Sequence, residues 1–171
     1  MRTVKIVRFL FLSLVGVCLL YVIQAPSVFA QQSSLELPKE STNPGDGFAF
    51  LAKRLGEKFK LFLYSPLPKR KKDALEKLAT TRLTELKYVI EQKDMANFEN
   101  TTTRYSTTIG EWVEYINKKK LTDQKQHAKE VLNSHVPVIE MLMTKYDPTT
   151  AEWRFVKHDL DYLSIYISQL N

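Results

Sequence analysis

KRKKDALEKLATTRLTELKYVIEQKDMANFENTTTRYSTTIGEWVEYINKKK, residues 69–120, decides the fold. In its first half Leu75, Ala79, Arg82, Leu86 and Val89 recur at steps of four and three, with Leu78, Leu83 and Ile90 beside them. That spacing predicts a helix with one wide buried stripe, not a strand. The second half repeats the rhythm with Phe98, Thr102, Tyr105, Ile109, Trp112 and Ile116, a period of about 3.5 that suits near-antiparallel, coiled-coil-like packing. Between the halves, Gln92-Lys93-Asp94 puts a cation at the end of one helix and an N-cap aspartate at the start of the next. A link this short joins only antiparallel neighbours. The segment therefore reads as a helical hairpin, and its stripes are too broad for two helices to cover, so further helices must pack on it.

Arg82 interrupts the first stripe where a leucine would fit. A guanidinium cannot be buried alone without a large desolvation cost, so it must reach water or pair. Glu85 lies one turn on, and Tyr105 or Ser106 falls opposite when residues are counted back from the hairpin turn. A structural ion pair or a stack on Tyr105 is the expectation for it.

Upstream, Arg2, Lys5 and Arg8 precede an apolar run over residues 9–23, followed by the small-residue site Val28-Phe29-Ala30. Residues 1–30 thus read as a secretory signal peptide, with a retained membrane anchor as the alternative. Residues 31–43 are polar with no apolar period and read as a flexible linker, and residues 44–171 as the helical bundle domain. Asn43-Pro44-Gly45-Asp46-Gly47 makes a turn and offers Asp46 as a cap for a helix over residues 48–64. Phe48, Leu51, Leu55, Phe59 and Phe62 form its apolar side, and like the other stripes this side is expected to pack inward. Gly56 would let another helix approach closely. Ser65-Pro66-Leu67-Pro68 ends that helix, since neither proline can donate a backbone bond.

Several of these motifs, taken in order, resemble a bacterial family catalogued only as a domain of unknown function. They are Asn43-Pro44-Gly45-Asp46, Lys53-Arg54-Leu55 with Glu57, residues 59–63, Pro68-Lys69-Arg70-Lys71, and Leu78-Ala79 with Arg82-Leu83 and Glu85-Leu86. The resemblance covers about residues 43–94. It implies an extracytoplasmic helical domain and carries no activity or catalytic residue.

Beyond the hairpin, Thr122 or Asp123 can cap a helix with the seam Ala128, Val131, His135, Val138 and Leu142, which Pro137 must kink or break. Thr149-Thr150-Ala151-Glu152 reads as a capping box for a last helix with the seam Trp153, Val156, Leu160, Leu163, Ile167 and Leu170. Phe155, Tyr162 and Tyr166 give that helix a second apolar flank, either sandwiched between helices or offered as a partner face. The fold class is all-α, an antiparallel four- to five-helix bundle after a signal peptide and a short linker.

Composition excludes several chemistries. Cys18, the only cysteine, lies in the leader, so a mature chain has no disulfide, thiol nucleophile or thiolate metal site. The formal charge of +6 includes the three leader cations, leaving +3 on residues 31–171, too little for a nucleic-acid binder. His127 and His135 are eight residues apart, about 80° around a helix, and the paired Glu-x-x-His motifs of di-iron bundles are missing. A seam histidine bonded to a carbonyl is the expectation for His135. No nucleophile, base and orienter can be grouped, so no catalytic residue, metal ligand or cofactor is assigned and the chain reads as non-enzymatic.

Lys69, Arg70, Lys71 and Lys72 open the hairpin and Lys118, Lys119 and Lys120 close it, which gathers seven cations at one end of the bundle. The first cluster opposes the helix dipole, and the cations read either as a solvated end of the bundle or as weak contact with anionic phospholipid or an anionic wall polymer. The sequence thus describes an exported, extracytoplasmic binding or structural module whose partner is an unknown envelope protein or an anionic membrane or wall surface. Two alternatives stand beside it: a periplasmic stress chaperone, whose L-T-x-x-Q motif Leu121-Thr122-Asp123-Gln124 resembles with Lys125 in the last place, and a cofactor-binding or metal-binding bundle.

Overall fold

The computed structural model describes Leu37, Pro44, Gly45 and residues 47–171. The signal peptide, most of the linker and the cap at Asp46 lie outside the described residues. Five helices and no strand occur among the described residues: α1 Gly47–Leu63, α2 Pro68–Gln92, α3 Met95–Lys118, α4 Thr122–Met143 and α5 Ala151–Ser168. The all-α bundle read from the periodicity is what the chain forms.

The α2–α3 hairpin turns where expected. Lys93 takes a left-handed conformation (φ 56°), its N–H donates to Ile90 O and that of Asp94 to Val89 O at 3.0 Å, the paired bonds of a Schellman motif. Asp94 then accepts from the Asn97 N–H and starts α3. The same device closes α3: Lys120 is left-handed (φ 52°), and the Leu121 N–H reaches back to Ile116 O at 3.0 Å. The chain therefore enters α4 immediately. Leu121, not Thr122 or Asp123, occupies the capping position and offers no side-chain acceptor, while Asp123 complements the dipole from the first turn.

Helix α4 runs unbroken through Pro137, so the proline does not split it. The capping box before α5 is not formed. Asp147 Oδ1 accepts from both the N–H and the hydroxyl of Thr149, which draws Thr149 into the preceding turn. The cap passes to Thr150, which accepts from the Trp153 N–H, and Glu152 then stands one place too early to close a box.

The core lies where α3 meets α2, α4 and α5. Leu83 and Leu86 from α2, Tyr105, Ile109, Trp112 and Ile116 from α3, Leu132, Ile139 and Leu142 from α4, and Val156 and Leu163 from α5 are fully buried. Leu37 is half-buried against this core.

Helix α1 departs from expectation. Its backbone approaches α2 alone, and Phe50 is its only buried residue. Phe48, Leu51, Leu55, Phe59 and Phe62 are 60–86% exposed. The predicted apolar side thus faces away from the bundle, and the polar side is docked. Gly56 lies on the outward half with nothing near a Cβ there, so it marks no helix crossing.

Gly45 fixes the entry to α1. Its φ of 109° suits glycine, and a Cβ there would run into the Asn97 carboxamide at the start of α3. Gly45→Ala is expected to cost about 1–3 kcal/mol, read as a lower urea midpoint with an unchanged m-value. An unchanged midpoint would show that the turn relaxes freely.

Candidate functional site

The reversed docking of α1 has an electrostatic cause. Arg82 and Glu85 sit on the face of α2 that α1 covers, and both are buried. Arg82 Nη1 donates to Glu85 Oε1 at 2.6 Å, the structural ion pair expected from the sequence. The second acid comes from α1: Arg82 Nη2 pairs with Glu57 Oε2. Lys53, also on α1, reaches Glu85 Oε1 at 3.0 Å. Arg104 of α3 brings its Nε to 3.9 Å from Glu85 Oε2, donates from Nη2 to Thr101 Oγ1 at 2.6 Å and lays its guanidinium 5.1 Å from the centre of the Phe50 ring.

A buried carboxylate–guanidinium pair needs its remaining valences met. The apolar side of α1 could not supply that; the side bearing Lys53 and Glu57 does. Tyr105 has no part in the network, because its hydroxyl lies 3.1 Å from His135 Nδ1.

The docking leaves a continuous outer surface. At 100° per residue, Phe48, Leu51, Leu55, Phe59 and Phe62 share one face of α1, with Lys58 on one border, while Lys60 lies about 140° from the centre of that face, beside Lys53. Lys58 and Lys60 are exposed. Leu67, in the turn to α2, is exposed as well.

At the C-terminal end of the stripe, Phe62 lines a cleft with Lys71, Tyr115 and Lys118, and Glu111 and Glu114 line it too. Lys71 stands 5.2 Å from the centre of the Tyr115 ring. Of the seven sequence-predicted cations, Lys69, Arg70, Lys118, Lys119 and Lys120 are exposed and Lys71 is half-buried. Lys72 turns inward to Gln124 Oε1 at 3.0 Å and to Asp73 at 2.8 Å, and ties α2 to α4.

The aromatic flank of α5 is divided. Phe155 packs edge-on against Phe98 with ring centres 6.1 Å apart. Tyr166 fills the space above Gly110, where a Cβ would lie 2.5 Å from its hydroxyl. Tyr162 stacks on Tyr166 and remains exposed beside Ile165.

A second polar group lies inside the core. Tyr105 and His135 are fully buried, and Asp159 of α5 is nearly so. His135 thus takes a phenol as its neighbour where a carbonyl was expected. His135 Nε2 and Asp159 Oδ2 have no hydrogen-bond partner. Burial lowers the His135 pKa to about 4 from the ordinary 6.5 and pushes the Asp159 carboxyl well up, with the Ser106 hydroxyl opposing. Buried in this way, these groups couple the stability of the fold to pH.

Below pH 6.5 the unfolded chain takes up a proton at His135 that the folded chain refuses until about pH 4. The stabilisation from the neutral imidazole is complete above 6.5 and is lost as pH falls through that window, roughly 3 kcal/mol in all. Asp159 acts in the opposite sense: its raised pKa favours the folded state in acid, and that advantage is lost as pH rises above the ordinary 3.8. Urea unfolding between pH 7 and pH 4.5 should therefore fall more steeply for the wild type than for His135→Gln. Parallel profiles would contradict a buried neutral imidazole.

His127 pairs with Glu76 at 3.0 Å on the surface, and His158 sits against Tyr162. Among the described residues no three His, Cys, Asp or Glu side chains come together as a metal site.

No family model, curated protein or solved structure shows significant similarity to this chain. The site is therefore argued from its own chemistry. Sequence periodicity found the members of the stripe and missed their outward direction. Glu57, Lys53 and Arg104 were missed as partners of Arg82 and Glu85 because they come from other helices, although the charge of Arg82 called for an acid such as Glu57.

Proposed function

We propose that this chain is a non-catalytic binding module of the bacterial cell envelope, exported by its leader, which engages its target through the outer face of α1. The observation that carries the reading is the docking of α1 by its charged side, which commits five large apolar side chains to the outside. Apolar surface of that extent on a folded domain marks an interaction site. The leader-like residues 1–30 and the resemblance over residues 43–94 support the extracytoplasmic placement.

The test is fractionation of a bacterial host expressing the full chain and its Leu55→Ser/Phe59→Ser variant. The wild type should be held in the envelope fraction, and the variant, equally folded, released as soluble extracytoplasmic protein. Cytoplasmic retention of both, or identical envelope retention, would overturn the reading.

A stress-chaperone role is a second reading, favoured by the same exposed side chains, which could hold an unfolded client. It requires suppression of client aggregation by the wild type and loss of that activity in the same variant. Equal aggregation curves would dismiss it.

A further inference from the structure

We propose that α1 is an interfacial helix that lies in the head-group region of an anionic phospholipid bilayer, with its stripe toward the acyl chains. The inference rests on the binding-module reading and names the surface that the module binds.

Three observations lead to it. Phe48, Leu51, Leu55, Phe59 and Phe62 form one straight outward row, about 20 Å long at the helical rise. Their exposed area is on the order of 500 Å² or more, at the upper end of what monomers leave in water. An amphipathic helix with such an outward row suits lying along a bilayer surface.

The second observation is the sign of the charge around the row. Glu57, the only acid of α1, points inward and is engaged by Arg82. One border carries Lys58 and the other Ala52 and Leu63, and neither carries an acid. Two copies meeting stripe to stripe would bring like charges together, whereas anionic head groups complement the rim and acyl chains the row.

The third is the continuation of that rim. Beyond Phe62 the chain carries Leu67, Lys69 and Arg70, all exposed, and Lys71 and Lys118 in the cleft that Phe62 lines. Glu111 and Glu114 offset part of this charge, while Lys119 and Lys120 add to it. The basic end thus sits beside the apolar row where head-group phosphates would lie.

Phe59→Trp in the full chain supplies the probe, read as the difference from the parent spectrum because Trp112 and Trp153 are already present. With vesicles of phosphatidylglycerol and phosphatidylethanolamine, the residue-59 emission should shift to the blue and be quenched by lipids brominated on the upper acyl chain. Replacing Lys58, Lys69 and Arg70 by glutamine should weaken this response at least about tenfold, as should pure phosphatidylcholine vesicles.

Co-sedimentation without a shift at residue 59 would mean that the leader alone binds, and would overturn the proposal. A blue shift without lipid, with a dimer in sedimentation equilibrium, would assign the row to a second copy and also overturn it. If vesicles leave residue 59 unchanged while Leu55→Ser/Phe59→Ser still releases the chain from the envelope, the module stands and its target is a protein.

Discussion

Glu85→Gln is expected to cost about 3–5 kcal/mol of stability although it removes almost no volume. Three cations converge on this carboxylate from three helices: Lys53 of α1, Arg82 of α2 and Arg104 of α3. The carboxylate is entirely out of water. A neutral amide leaves Glu57 as the one acid facing those cations, and Arg82 has no route to solvent. Two of the groups that hold α1 act through or beside this point, so amide exchange in α1 should accelerate before exchange in α3 does.

Urea unfolding gives the total. A loss under about 1 kcal/mol would mean that the carboxylate reaches water. Arg82→Met combined with Glu85→Leu should recover part of the loss, since the apolar pair removes the buried guanidinium together with its acid and leaves Glu57 to face Lys53 and Arg104.

Trp112→Ala is expected to cost about 3–5 kcal/mol. Trp112 is fully buried in α3, the helix that meets α2, α4 and α5, so the cavity would open where close-packed surfaces converge. Trp112→Phe should cost distinctly less: the indole N–H has no acceptor, and removing a buried unpaired donor offsets part of the lost volume. Thermal and urea unfolding of the two variants should rank them in that order. Equal losses would show that the indole N–H is satisfied.

Both results bear on how much the amino-acid order discloses. The hairpin was legible because its determinants are local: steps of three and four, a two-residue link and an Asp cap. The helix at α1 was equally legible, and so was its amphipathic character. Its facing was not. Periodicity identifies an apolar side, but which side meets the bundle was decided by a charge pair 25 residues apart, Arg82 with Glu57.

Arg82 announced a need for a buried acid and Glu85 met part of it; no spacing rule singles out Glu57 from the other glutamates. His135 shows the same limit, since its seam position was evident while its phenolic neighbour comes from a residue 30 positions earlier. At α5 the threonines that could cap were evident, and the Asp147 turn chose between them.

The α1 arrangement also joins the fold to the proposed role. Ion pairs hold the helix by one side, so its other side is free to be apolar without competing for the core.

Thiol accessibility in solution tests this arrangement most directly. With Cys18 changed to Ser, single cysteines at Leu55, Phe59 and Leu86 would be timed against a thiol reagent in dilute, lipid-free monomer. The outward stripe predicts fast reaction at 55 and 59, close to the denatured rate, and strong protection at 86. Protection of 55 and 59 comparable to that of 86 would place the stripe inside the bundle and contradict the account.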